Sequence, residues 1–145
     1  MPPPNNPLAT RIIDAMFEND DYSQWLGIKR ITEGMGYCTL EMIVRREMTN
    51  GFNIAHGGIT FAFADSALAF ASNSRGRKAV SIETSIAHVM AVKPGEVIRA
   101  IATETHLSNQ LGRYDVKVEN QEGATLALFK GTVYRKREKW FEDDN

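Results

Sequence analysis

The sequence has one cysteine, Cys38, and with it no means of forming an intrachain disulfide. Cys38 opens an apolar alternation and reads as a small core filler, which suits a reducing, cytoplasmic setting. Charge of one sign is also missing. Seventeen Lys and Arg stand against eighteen Asp and Glu, a net charge of −1, so neither nucleic acid nor an anionic membrane is an expected partner. The basic clusters at Arg75, Arg77 and Lys78 and over residues 135–139 read as solvated surface. The longest apolar run, residues 59–71, is broken by Asp65 and Ser66. It falls short of the roughly 20 residues that a membrane span needs. Residues 1–7 lack the basic-then-apolar layout of a secretory leader. There is no Gly-Lys-Ser/Thr phosphate loop and no Gly-x-Ser-x-Gly elbow. His88 and His106 have no metal-ligand companions, so no metal site is expected.

What is present centres on residues 50–76, NGFNIAHGGITFAFADSALAFASNSRG. A loop holding Asn50, Asn53 and His56 leads to Gly57 and Gly58, and then to a helix rich in Ala and Phe. The two glycines let the backbone turn and let a ligand approach the first amides of that helix. The helix reads as apolar almost all round, which predicts burial. Asp65 lies inside it, between Phe61 and Ala62 one turn back and Leu68 and Ala69 one turn on. A carboxylate there loses water without an evident cation, at a cost of several kcal/mol or so unless compensated. Such a conflict between residue and surroundings points to function.

The chain is long enough for one domain with a substantial core. Residues 1–7 predict a flexible Pro-rich arm, residues 8–136 the domain, and residues 137–145 a loose tail or short helix. Residues 8–19 have helical spacing. Trp25, Leu26 and Ile28 read as the approach to a first strand, and Cys38, Leu40, Met42 and Val44 as alternate residues of a second. After Gly76, four strands are expected in hairpin-like succession, over residues 79–92, 96–107, 113–118 and 124–135. The fold class is therefore α+β, an antiparallel sheet with one long hydrophobic helix on its face. One small sheet covers such a helix only in part, so the chain's own loops or a second subunit must cover the rest, and a homodimer is expected.

This order, together with Ala15 to Asp20, Leu26-Gly27-Ile28, Asn50-Gly51, His56-Gly57-Gly58, Phe63-Ala64-Asp65, Asn73-Ser74-Arg75-Gly76, Tyr114-Asp115 and Ala127 to Gly131, resembles the PaaI type of hotdog-fold acyl-CoA thioesterase. The resemblance implies a hotdog fold, an antiparallel sheet wrapped around one long central helix. It implies hydrolysis of aromatic, phenylacetyl-type or hydroxyphenylacetyl-type, CoA thioesters. Coenzyme A enters as part of the substrate and no separate cofactor is implied. It also implies a homodimer, with a dimer of dimers as the preferred assembly, and a site at the subunit seam.

In that family the Gly57 amide and the Asn50 side chain would donate to the thioester oxygen, and Asp65 would serve as general base or nucleophile. Those two routes stay open. His56 would help shape the site, and Ser81 would correspond to a hydroxyl that orients water in some relatives. Read without the resemblance, Asn50 is a turn former, His56 a packing or capping residue and Ser81 an exposed strand serine. The family's coenzyme A contacts would fall on Ser108, Asn109, Gln110 and nearby Arg113. The chain departs from the family at two places. His88-Val89-Met90-Ala91 stands where an aromatic-Leu-Arg-Pro run is frequent, and Ser108-Asn109 where many members have Gly-Lys. A hotdog dehydratase or hydratase and a non-catalytic acyl-CoA binding protein are the alternative readings.

Overall fold

The computed structural model describes residues 4–142 of the chain. Helix α1 (Pro7–Glu18) starts on a proline, whose missing N–H costs nothing in a first turn, and Asn6 caps it by accepting from the Leu8 and Ala9 amides. The arm expected over residues 1–7 therefore gives way to helix at Pro7. Residues 1–3 of that arm lie outside the described residues. The helical spacing holds, with Ala9, Ile12 and Ile13 buried.

A second helix, α2 (Asp21–Leu26), occupies the stretch read as the approach to a strand. Asp20 caps it, accepting from the Ser23 amide at 2.9 Å, and Gly27 closes it at φ 78°. The polar cluster that ends α1 also begins α2. Strand β1 (Lys29–Gly34) follows, then β2 (Tyr37–Ile43), the long helix α3 (Gly57–Asn73), β3 (Arg77–His88), β4 (Val97–Leu107), β5 (Leu111–Glu119) and β6 (Thr125–Lys139).

The six strands form one antiparallel sheet in the order β1-β2-β4-β5-β6-β3. The hairpin-like succession expected after Gly76 therefore fails at β3, which lies at the far edge beside β6. The cause is α3. Its 17 residues rise about 25 Å and carry the chain across the sheet before β3 begins. β3 is also shorter than predicted. The amides of Val89 and Met90 both turn to the Leu126 carbonyl, and the Val92 carbonyl accepts from Ala55 at 2.7 Å, so residues 89–92 brace the Asn50 loop instead of extending the ladder. At the C-terminus, residues expected as a loose tail prolong β6 to Lys139. Trp140 then donates through Nε1 to Asn73 Oδ1 at 2.9 Å, and Arg11 lies over the Phe141 ring.

The register explains the core. Cys38, Ala102, Val116, Phe129 and Ile86 face one another across five strands, and residues directly opposite in a sheet share a face. That row packs under α3, where the Cys38 thiol donates to the Ala67 carbonyl at 3.2 Å. Asn73, at the end of α3, exchanges hydrogen bonds with the Ala79 amide and carbonyl, and Ser74 accepts from the Gly36 amide. The Asn73-Ser74-Arg75-Gly76 motif thus fastens the helix end to β3 and to the turn between β1 and β2.

Candidate active site

The first turn of α3 is built by His56. Its Nδ1 accepts from the Gly58 amide at 2.9 Å and its carbonyl accepts from Ile59 at 2.9 Å. The proton of a neutral His56 ring is therefore on Nε2. The Gly57 amide keeps no acceptor among the described residues. It stands at the positive end of a helix, free to donate.

Asn50 reaches the same place from the preceding loop. Its Oδ1 accepts from the Phe52 amide at 2.9 Å, which holds a tight turn, while Nδ2 remains a donor. Turn former and ligand donor are compatible roles, one for each end of the amide. Asn50 and Gly57 line one cavity of about 310 Å³, with Thr60, His88, Val92 and Leu126 among its walls. The sequence did not single out Thr60, and it weighed His88 only as a metal ligand and as a departure from the family run. Neither a Thr in an apolar helix nor a lone His late in a strand marks a site, and the pairing of β3 with β6 sets His88 over Gly57.

Asp65 lies elsewhere. Eight residues along α3 separate it from Gly57, which is about 12 Å of rise, beyond any direct contact. Asp65 shares a half-buried stripe with Phe61, Ala62, Ser66 and Ala69, so α3 is not covered all round by its own chain. Its carboxylate has no hydrogen-bond or ion-pair partner among the described residues, and burial raises its pKa above the ordinary carboxylate value. Ser81, opposite Val133 on the helix-facing side of β3, is exposed beside this opening. Seven residues of strand, about 23 Å, part it from His88.

Ser108, Asn109 and Gln110 form the exposed turn between β4 and β5, level with the start of β3 and thus at the end of the chain remote from Gly57. Arg113 is exposed on β5. Two further cations bond the turn: Arg77 donates to Asn109 Oδ1 at 3.2 Å and Arg135 to the Ser108 carbonyl at 2.6 Å. The two basic clusters of the sequence meet here. Among the described residues no three His, Cys, Asp or Glu side chains converge as metal ligands.

Residues 52–127 match the family profile of the thioesterase superfamily. The chain belongs to the thioesterase superfamily. Acyl-coenzyme A thioesterase PaaI of Escherichia coli is 38% identical over 83% of this chain and 86% of its own length. The structure of the E. coli PaaI protein from the phenylacetic acid degradation operon superposes with a TM-score of 0.89 at 36% identity, over 91% of this chain and 96% of that one. The TT0310 protein of Thermus thermophilus gives 0.79 at 36% identity, over 81% and 99%. The fold of this thioesterase is the hotdog fold, and the chain is a thioester hydrolase of PaaI type. The hydratase and passive-binder readings are set aside.

Proposed function

We propose that the thioesterase hydrolyses aromatic acyl-CoA thioesters of the phenylacetyl or hydroxyphenylacetyl type, giving the free acid and coenzyme A. The observation that carries this reading is the unpaired Gly57 amide beside the Asn50 carboxamide in a cavity of mostly apolar walls. Two donors converge where a carbonyl oxygen would gain charge, and the walls suit an apolar acyl group.

The site is completed by a second copy of the chain. Asp65 is about 12 Å of helix rise from Gly57, and its stripe on α3 is half open. A two-fold axis that sets the two α3 helices antiparallel brings one copy's Asp65 to the other's Gly57. The same axis brings the Ser108 turn, with Arg77 and Arg135, from its remote end toward the neighbouring cavity, where guanidinium groups suit the phosphates of coenzyme A. A dimer of dimers is the preferred final assembly. The chemistry belongs in the cytoplasm, where the buried free thiol of Cys38 stays reduced.

In the reaction, Asp65 takes a proton from water and the water oxygen attacks the thioester carbon. Gly57 N–H and Asn50 Nδ2–H receive the charge on the carbonyl oxygen, and the carbon–sulfur bond breaks to release the thiolate. In the nucleophilic variant, the Asp65 carboxylate attacks instead and water cleaves the resulting anhydride. Ser81 would orient water at the seam, and His56 holds the Gly57 amide in place through its cap. The test is thiol release from a panel of acyl-CoAs. Phenylacetyl-type thioesters should have the highest kcat/KM. A preference for straight-chain acyl groups would overturn the aromatic assignment.

A further inference from the structure

His88 ends β3 opposite Ala127, and its ring leans over the first residue of α3. Nε2 is the ring atom nearest Gly57, 3.2 Å from the point where a Cβ would lie, against 3.6 Å for Cε1. The other ring nitrogen, Nδ1, is 3.3 Å from Thr60 Oγ1. The Thr60 hydroxyl has one proton, and the Gly57 carbonyl at 3.1 Å, which can only accept, is the shorter of its two contacts. A proton placed there leaves Oγ1 to accept from His88, which assigns the imidazole proton to Nδ1. A neutral ring protonated on Nδ1 presents a bare lone pair on Nε2. The groups that face a thioester oxygen here, the Gly57 amide and Asn50 Nδ2, are donors. Nε2 is an acceptor, on a wall that is otherwise mostly apolar.

We propose that His88 Nε2 accepts a hydrogen bond from a hydroxyl on the acyl group, and that this chain selects acyl-CoAs whose hydroxyl lies close to the thioester carbonyl. Closeness follows from the pairing with Gly57. The amide that holds the carbonyl oxygen and the α-carbon beneath Nε2 are joined by one bond of about 1.46 Å. A hydroxyl within about four bonds of the carbonyl carbon reaches Nε2, as the ortho position of a phenylacetyl group does. A para hydroxyl points away across the ring. His88 is a specificity-determining residue here and transfers no proton. The inference rests on the thioesterase reading above, with Gly57 N–H on the carbonyl oxygen.

The experiment compares kcat/KM for 2-hydroxyphenylacetyl-, 4-hydroxyphenylacetyl- and phenylacetyl-CoA in the native chain and in His88→Phe and Thr60→Val. The native chain should favour the 2-hydroxy substrate over the other two by about tenfold or more, the scale of one hydrogen bond to a substrate hydroxyl. His88→Phe should bring the ratios to within about twofold of one. Thr60→Val keeps the shape of the side chain but frees the ring, and should give intermediate ratios. Equal native rates, or a preference that survives in His88→Phe, would overturn the proposal. Cleavage of phenylacetyl-CoA itself tests the thioesterase reading separately. A readout independent of turnover is the ¹⁵N spectrum of the histidine ring at alkaline pH, assigned by loss of the signal in His88→Phe. It should show the proton on Nδ1 and a shift of Nε2 on titration with 2-hydroxyphenylacetate but not with the 4-hydroxy isomer. A proton on Nε2, or equal response to both isomers, would overturn the proposal even in a preparation that cleaves none of the three thioesters.

Discussion

The tip of the His88 ring stands 3.2 Å from the place where a side chain on Gly57 would begin. The residue that opens α3 is therefore small for two reasons. Its α-carbon has to clear an imidazole, and on the proposed reading its amide has to be open to a thioester oxygen. Gly57→Ala should keep the fold, since the backbone of Gly57 is not in the left-handed region that side chains disfavour. The new methyl has to displace the imidazole by a few tenths of an ångström. Turnover should drop by about tenfold or more with an unchanged Tm. Thiol-release kinetics beside a melting curve check both halves.

Gly131 makes a different prediction. A Cβ there would lie 2.7 Å from Leu68 Cδ2 and 3.2 Å from Thr84 Cγ2. Leu68, on the core side of α3, is buried and has little room to swing away. Gly131→Ala should cost about 1–3 kcal/mol by overpacking, read as a lower denaturation midpoint in urea with an unchanged slope.

His56 separates capping from catalysis. His56→Ala removes the acceptor for the Gly58 amide and should cost about 1 kcal/mol. Asparagine, a strong N-cap, should restore most of that stability. If His56 serves only through its cap, His56→Asn should also recover turnover. Stability restored without turnover would show that the imidazole itself is needed.

The opening along α3 bears on assembly. Phe61, Ala62, Asp65, Ser66 and Ala69 form a half-buried stripe, and on the neighbouring edge strand Val80 and Ile82 are 46% and 60% exposed. Sedimentation should give a dimer or a tetramer at assay concentrations, with activity falling on dilution through dissociation. A fully active monomer would contradict the shared site.

Much of this was legible in the sequence, for physical reasons that can be named. Alternation at Tyr114, Val116 and Val118 gives β5 because that strand is buried on one face only, and the apolar Cys38, Leu40 and Met42 give β2 although Thr39 on its other face is buried as well. The length and apolar content of α3 give the central helix. The Asn50 turn was the plain reading of that residue, and of the two plain readings of His56, packing or capping, the structure shows the cap. What escaped depends on contacts distant in sequence. β3 pairs with β6 because α3 carries the chain across the sheet, which no local pattern records. β6 runs through charged residues because its outer positions meet solvent. His88 and Thr60 join the site only through tertiary contact. Of the two basic clusters read as surface, residues 136–139 are exposed, while Arg75, Arg77, Lys78 and Arg135 are half-buried, and Arg77 and Arg135 converge on one turn.

The measurement closest to the central claim is the turnover of Asp65→Asn across pH. The folded chain holds the Asp65 proton more tightly than the unfolded chain does, because burial disfavours the charge. The ionised carboxylate therefore costs stability above its folded pKa, and the cost is absent below the ordinary carboxylate range. Native kcat/KM should rise with pH through a value above that range, about 3.9, as the base ionises. In Asp65→Asn the rise should vanish and kcat should fall by about 10²-fold or more, with KM within a few-fold and Tm equal or higher at neutral pH. A folded Asp65→Asn chain that hydrolyses acyl-CoA at the native rate, with the native pH profile, would contradict the account.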